Sequence, residues 1–265
     1  MTDDLSEHRL ARLLHTQRLG RRYVFLPSCG STNDEVAARA TDSPEGLLVA
    51  TDKQSNGRGR RGRVWHSPAG ENLYFSLLLR PALPAQQISP LTLVAGAALA
   101  QALASLGFLP RLKWPNDVLL EGENGLRKVA GILAEMASEG GRVRHLVLGV
   151  GINVNTREFP TELADLATSL ALVQGTALDG TQVLARFLDA FEPLYDGFVA
   201  TGPAAALATW QRYALLGQSC WVDAGSHRLE GTAEAVDESG ALLMRTSDGQ
   251  LVPVHAGEVN WRKLS

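Results

Sequence analysis

The stretch from Gly57 to Trp65 reads GRGRRGRVW, inside the longer run TDKQSNGRGRRGRVWHSPAGENLYFSLLL (51–79). Four arginines and three glycines sit between GLLVATD (46–52) and NLYFSLLL (72–79), both of which read as buried strands. Three readings of this loop compete. Nucleic-acid segments of the RGG type come as repeats in disordered basic tails; this is a single copy with a tryptophan immediately behind it. A plain linker gains nothing from four cations that repel one another. An anion-binding loop uses both residue types: glycine permits positive φ and close backbone approach, and arginine offers fork-shaped donors for phosphate or carboxylate. The third reading is favoured, with the expectation that the loop is unstable by itself and closes on its anion.

The rest of the chain supports a local rather than global role for that charge. The protein has 265 residues, is 45% hydrophobic and 20% charged, and carries a formal net charge of −3. This is ordinary for a globular enzyme, and nothing global draws it to nucleic acid or an anionic membrane. The opening MTDDLSEHRLARLL has neither a signal peptide's apolar run nor a membrane span. Cys29 and Cys220 form no metal spacing, which suits a reducing cytoplasm. Only four lysines (Lys53, Lys113, Lys128, Lys263) stand against twenty-one arginines. Each lysine is therefore a candidate for a place that needs a compact ammonium.

Working outward from the loop, residues 5–19 have helical spacing with Leu10, Leu13 and Leu14 on one face, and YVFLPS (23–28) reads as a strand. STNDEVAARA (31–40) opens a helix with Thr32 and Glu35 spaced as a capping box. In SPLTLVAGAALAQALASLG (89–107), Ser89 is the expected N-cap and Pro90 the first helical residue. This helix is apolar almost all round and should pack under a sheet. PRLKWPNDVLL (110–120) and KVAGILAEMA (128–137) read as strands joined by the polar turn EGENGLR, and VRHLVLGVGINVN (143–155) as another. Residues 181–216 are helical with expected interruptions at Pro193 and Gly202-Pro203. From about residue 218 short alternating strands with Gly and Asp turns predict a small β-barrel. The fold class is α+β: a mixed sheet flanked by helices in 1–217, then a β module in 218–265.

KWPND (113–117) places Lys113, Asn116 and Asp117 in one strand-plus-turn segment, and Pro115 confines it to an edge or strand end. A cation, an amide and a carboxylate can meet phosphate and Mg²⁺ there. Lys128 stands where chain leaves solvent for core, where a lysine is often only a snorkelling cation.

Taken in order, STN (31–33), Q..GRGRRGRVW.SP.G.NLYFS (54–76), KWPND (113–117), K..GIL.E (128–135) and G.GIN.N (149–155) resemble the biotin–protein ligases, and GEV (257–259) in the terminal module fits as well. The resemblance implies a fold like that of class II aminoacyl-tRNA synthetases with an SH3-like C-terminal barrel. The implied reaction has two steps. Biotin and Mg·ATP give biotinyl-5′-AMP and pyrophosphate, and the anhydride then acylates a lysine of a biotin carboxyl carrier domain, such as that of acetyl-CoA carboxylase. The implied partners are biotin, ATP and the carrier, with a homodimer admitted. About 20 residues precede the first strand, which leads one to expect a monofunctional ligase without a winged-helix operator-binding domain.

By motif, Ser31, Thr32, Asn33 and Gln54 resemble groups that bond the biotin ureido ring, with Gly59 and Gly131 beside them. Arg58 and Arg60 resemble loop residues that fold over the acyl-phosphate. Lys128 matches the lysine between the carboxylate and the α-phosphate. Trp65 is expected to wall the adenine pocket, and Arg61, Arg63, Lys113, Asn116, Asp117 and Asn153 to line the nucleotide side. Metal ligands are not assigned; Mg²⁺ is expected to arrive on ATP, with Asp117 a candidate donor.

Overall fold

A computed structural model describes residues 5–122, 125–224 and 227–261. The first sheet has seven strands in the order β1-β2-β3-β7-β6-β5-β4. They are β1 (Arg22–Leu26), β2 (Leu47–Thr51), β3 (Leu73–Leu79), β4 (Arg111–Lys113), β5 (Asp117–Gly122), β6 (Gly125–Glu139) and β7 (Arg142–Ile152). β1 and β2 are parallel and every other neighbouring pair is antiparallel, so the sheet is mixed as expected. The tip of the β5–β6 turn, Glu123 and Asn124, lies outside the described residues, as does Lys263.

The two faces of the sheet are covered differently. One packs on α3 (Leu91–Ser105), α5 (Gly180–Thr201) and α6 (Ala204–Tyr213), forming the main core with Leu48, Phe75, Leu77, Ile132, Leu148 and Val150. The other is covered by α2 (Thr32–Arg39), through Val36 and Ala40 against Leu47 and Val49 of β2, Leu78 of β3 and Val147 of β7. The remainder of that face is open, and the site lies there. Period-2 alternation explains the division, because β2 and β3 send successive side chains to opposite faces and have a cover for both.

The run Ala85–Ser105, which ends in α3, is long and apolar enough by composition to span a membrane; here it lies mostly buried in the protein. α3 starts at Leu91 with Pro90 in the cap position, and Ser89 makes no cap bond, one residue later than expected. α5 runs unbroken through Pro193, contrary to the expected interruption. An interior proline costs about 3 kcal/mol, whereas buried side chains such as Phe187, Leu188, Phe191, Tyr195 and Phe198 contribute roughly 1.5–3 kcal/mol each. Packing wins. The break at Gly202 and Pro203 is present and separates α5 from α6. The first helix, α1 (Glu7–Leu13), is shorter than its sequence spacing suggested, and a short helix, α4 (Leu170–Gln174), precedes α5.

A second, five-stranded antiparallel sheet has the order β11-β10-β9-β8-β12 and begins at Ser219. Its strands are β8 (Ser219–Ala224), β9 (His227–Val236), β10 (Leu242–Arg245), β11 (Leu251–Val254) and β12 (Val259–Trp261). It is tied to the first sheet through the Trp114 indole, which donates to the Gly240 carbonyl at 2.9 Å.

Candidate functional site

Register across the open face builds the floor of a cleft. Tyr74, Gly151, Gly131 and Asp117 stand opposite one another on β3, β7, β6 and β5; Ser76, Gly149 and Leu133 form the next row. Three of these positions are glycines, and each absence of a side chain has an occupant. A Cβ on Gly149 would lie 2.2 Å from Asn33 Oδ1, one on Gly151 2.5 Å from Trp65 Nε1, and one on Gly131 3.0 Å from the Trp65 ring. The motifs GIL and G.GIN thus clear a trough into which the α2 N-terminus and the residue after the arginine loop descend.

Over this floor is a cavity of about 230 Å³. Ser31, Thr32, Asn33, Gln54, Arg58, Gly59, Arg60, Arg61, Arg63, Trp65, Lys113, Asn116, Asp117, Lys128 and Gly131 all line it. At one end the groups are neutral. The Thr32 N–H donates to Gln54 Oε1 (2.9 Å), Gln54 Nε2 to Ser67 Oγ (3.2 Å), and the Ser76 hydroxyl touches both Thr32 Oγ1 (2.7 Å) and Asn33 Oδ1 (2.6 Å). Gln54 is delivered there because strand-like pairing continues past β1 and β2 as a bridge between Cys29 and Gln54. The capping-box reading of Thr32 and Glu35 is corrected here. Ser31 is the N-cap without a side-chain cap bond, the Thr32 hydroxyl is committed to the cavity network, and Glu35 pairs with Arg39.

At the other end the groups are charged. Lys128 Nζ lies 2.6 Å from Asp117 and 5.1 Å from the Trp65 ring centroid. A shift in the β5–β6 register between Val118 and Leu119 sets Asp117 opposite Gly131, so the intervening turn does not carry Lys128 out of reach. Lys113 pairs with Asp117 across β4–β5; burial pulls its pKa below the ordinary lysine value, while the Asp117 charge acts in the opposite direction. Burial also lowers Arg60, with the Arg61 charge adding to the effect. The Trp65 Nε1–H is buried without a hydrogen-bond partner.

The arginine loop carries counterions of its own. Arg58 is bidentate to Asp34 (2.7 Å to each oxygen) and reaches Glu135 at 3.4 Å; this pairing, with Asp34 the largest contributor, raises its pKa and lowers that of Asp34. Arg63 pairs with Glu258, whose carboxyl is held below its usual range by that guanidinium. Arg61 donates to the Asp223 carbonyl and Arg60 to Asn116 Oδ1. Arg58 and Arg63 are thus answered by carboxylates of α2, β6 and the residue before β12, and Arg60 and Arg61 by amide and carbonyl oxygens. The predicted positive φ falls on Gly62 and also on Arg61, at 57°.

Asn153 was expected on the nucleotide side. It is buried outside the cavity lining, donates to the Thr168 carbonyl at 3.0 Å, and ties down the segment that bonds the Lys128 backbone. Sequence reasoning assigned no role to Asp34, Ser67, Ser76, Glu135, Gly149, Gly151 or Glu258. Six of these, all but Asp34, stood inside quoted motifs, where period-2 spacing from Gly131 would have put Glu135 on the open face.

A neutral hydrogen-bonding pocket that runs into a cluster of cations, on an α+β sheet with a terminal β module, suits a ligase that couples a small carboxylic acid to a nucleotide. The chain matches the Biotin/lipoate A/B protein ligase family over residues 26–153 and the Biotin protein ligase C terminal domain over 215–260. It is 33% identical to a biotin–[acetyl-CoA-carboxylase] ligase of Mycobacterium tuberculosis, covering 94% of each chain, and 38% identical to the bifunctional ligase/repressor BirA of Bacillus subtilis, covering 92% of this chain and 76% of that one. A solved biotin protein ligase from Aquifex aeolicus, in complex with biotin and ATP, superposes with a TM-score of 0.78 at 31% identity, covering 91% of this chain and 99% of the other. The chain belongs to the biotin protein ligase family.

Proposed function

We infer that the protein activates biotin with ATP to biotinyl-5′-AMP and transfers the biotinyl group to a lysine of a biotin carboxyl carrier domain. The carrying observation is the two-ended cavity. The Ser31–Asn33 and Gln54 end supplies donors and acceptors without charge, suited to a cyclic urea. The Lys128 end gathers the cations needed to bring a carboxylate and a polyphosphate together. In the first step a carboxylate oxygen attacks the α-phosphorus and the bond to pyrophosphate breaks. In the second, the carrier's neutral ε-amine attacks the acyl carbon, AMP leaves, and the amine loses a proton.

Lys128 is assigned to the junction of carboxylate and α-phosphate, where it exchanges its Asp117 partner for ligand oxygens. Arg58 and Arg60 close over the same junction, and a pre-aimed donor of this kind contributes roughly 3 kcal/mol to transition-state stabilisation. Lys113, Asn116, Arg61 and Arg63 face the nucleotide. Trp65, centred on the trough beside Lys128, walls the region between the two ends and helps exclude water from the anhydride. Among the described residues no group of three or more His, Cys, Asp or Glu could hold a metal ion. The donors fit an ion that comes with the phosphates and takes one carboxylate, for which Asp117 is in place. Mg²⁺ carried this way would neutralise phosphate charge.

The test is biotin-dependent ATP–pyrophosphate exchange, followed by labelling of a purified carrier domain. Turnover with lipoate or octanoate but not biotin would overturn the assignment.

A further inference from the structure

Glu135, the last residue of the K..GIL.E motif, has no role in the chemistry above. It stands on β6 on the same face as Gly131 and Leu133, and its carboxylate accepts from Asn33 Nδ2 and lies 3.4 Å from Arg58. From that carboxylate a chain of contacts runs under the neutral end of the cavity through Asn33, Ser76, Thr32 and Gln54. Asn33, Ser76 and Thr32 are all buried.

Counting protons settles the direction of every link. Ser76 and Thr32 own one hydroxyl hydrogen each, yet three contacts draw on them: Ser76 to Asn33 Oδ1, Ser76 to Thr32 Oγ1, and Thr32 to Gln54 Oε1. An ionised carboxylate only accepts, so Glu135 turns the Asn33 amide with Nδ2 toward itself and Oδ1 toward Ser76. Ser76 must then donate to Oδ1, and its contact with Thr32 can be a hydrogen bond only if Thr32 donates. The 3.2 Å contact from Thr32 Oγ1 to Gln54 is the one left without a proton, and Gln54 Oε1 is served instead by the Thr32 N–H at 2.9 Å. Every hydroxyl proton points to the carboxylate. The Thr32 hydroxyl therefore presents only lone pairs to the cavity, and Gln54 Nε2, which spends one hydrogen on Ser67, keeps the other. An acceptor beside a donor is the complement of an N–H beside a carbonyl.

We propose that Glu135 is a positioning residue that fixes the donor–acceptor polarity of the biotin end of the site, acting through Asn33 and Ser76 without touching ligand. This rests on the biotin-ligase reading. Without the carboxylate the Asn33 amide has no reason to prefer one orientation, and the Thr32 hydroxyl becomes free to point its proton at the ligand's N–H.

The experiment measures biotin and ATP KM in pyrophosphate exchange, with thermal melting, for the parent, Glu135→Ala, Glu135→Gln, Ser76→Ala and the Glu135→Ala/Ser76→Ala pair. Glu135→Ala should raise the biotin KM about tenfold or more, since hydrogen bonds to charged groups are the stronger class, with ATP KM within about twofold of the parent. Glu135→Gln, which can still accept from Asn33, should recover part of that loss. The double variant should be no worse than about twofold beyond the worse single, because both break one chain. Unchanged biotin KM with a lowered melting temperature would mean a structural role only. An equal rise in both KM values would mean that Glu135 acts through Arg58 alone, and multiplying effects in the double variant would mean that no relay exists; each overturns the proposal. A parent without biotin-dependent exchange would instead sink the ligase reading itself.

Discussion

Replacing Gly151 by alanine adds one methyl group to the floor of the trough, and its consequence can be worked from the coordinates. The new Cβ would lie 2.5 Å from Trp65 Nε1 and 2.6 Å from Cε2, whereas ordinary contact begins at 3.4 Å. Gly151 has no positive φ, so the cost is one of space alone. The Trp65 backbone cannot follow the ring: its N–H is bonded to the Gly57 carbonyl at 2.9 Å and its carbonyl accepts from Ser67 at 2.9 Å. Making up the shortfall from 2.5 to 3.4 Å pushes the indole about 0.9 Å into the cavity. A misplacement of about 1 Å costs on the order of 10²-fold in rate, about 2.7 kcal/mol. The half-buried ring keeps the overpacking penalty near the low end, about 1 kcal/mol of stability. Biotin-dependent pyrophosphate exchange should therefore fall about a hundredfold in kcat/KM with a small change in melting temperature. In a Trp65→Ala background the same methyl group should be nearly silent. Parental exchange by Gly151→Ala, or the same loss with and without Trp65, would refute the reasoning.

Three further outcomes are expected. Lys128→Ala should lose about two decades or more in the adenylation step; near-parental exchange would show the lysine is misassigned. Arg60→Gly should form the adenylate but release it, read as free biotinyl-5′-AMP by chromatography, and retention equal to the parent counts against the loop as a cover. Lys113 carries its charge below its pKa, and burial lowers that pKa, so nucleotide binding should weaken as pH rises at a lower pH than an ordinary lysine would give. Lys113→Arg should flatten that alkaline rise in ATP KM, and an unchanged pH profile would remove Lys113 from the nucleotide end.

The elements with strong patterning were legible from the residues. β2 and β3 are uninterrupted apolar runs, α3 is a long apolar segment closed by Gly107, and the terminal strands announce themselves by alternation and Gly turns. Pro193 misled because local propensity says nothing of the aromatic face that α5 buries. Thr32 misled because a hydroxyl at a helix start has two possible partners, and only tertiary structure shows that Ser76, forty-four positions away, takes it. The cationic half of the cavity was readable because lysine and arginine are scarce in apolar surroundings. The carboxylates that answer them were not: Asp34, Glu135 and Glu258 come from three separate elements, and pairing across such distances leaves no periodic trace. Gly149 and Gly151 were visible as letters, but what each makes room for is known only once β7 is seen beneath α2 and Trp65.

The Trp114 bond to Gly240 has a mechanical consequence. Its indole grips the tip of the β9–β10 hairpin from within the five-residue segment that also supplies Lys113, Asn116 and Asp117. Tilting the small sheet would therefore pull on the phosphate-facing segment directly, like a lever whose short arm ends at the cations. A protein leaning on the outer side of that module has a route to the nucleotide without entering the cleft. Slower amide exchange at 113–117 when the module is loaded would reveal it.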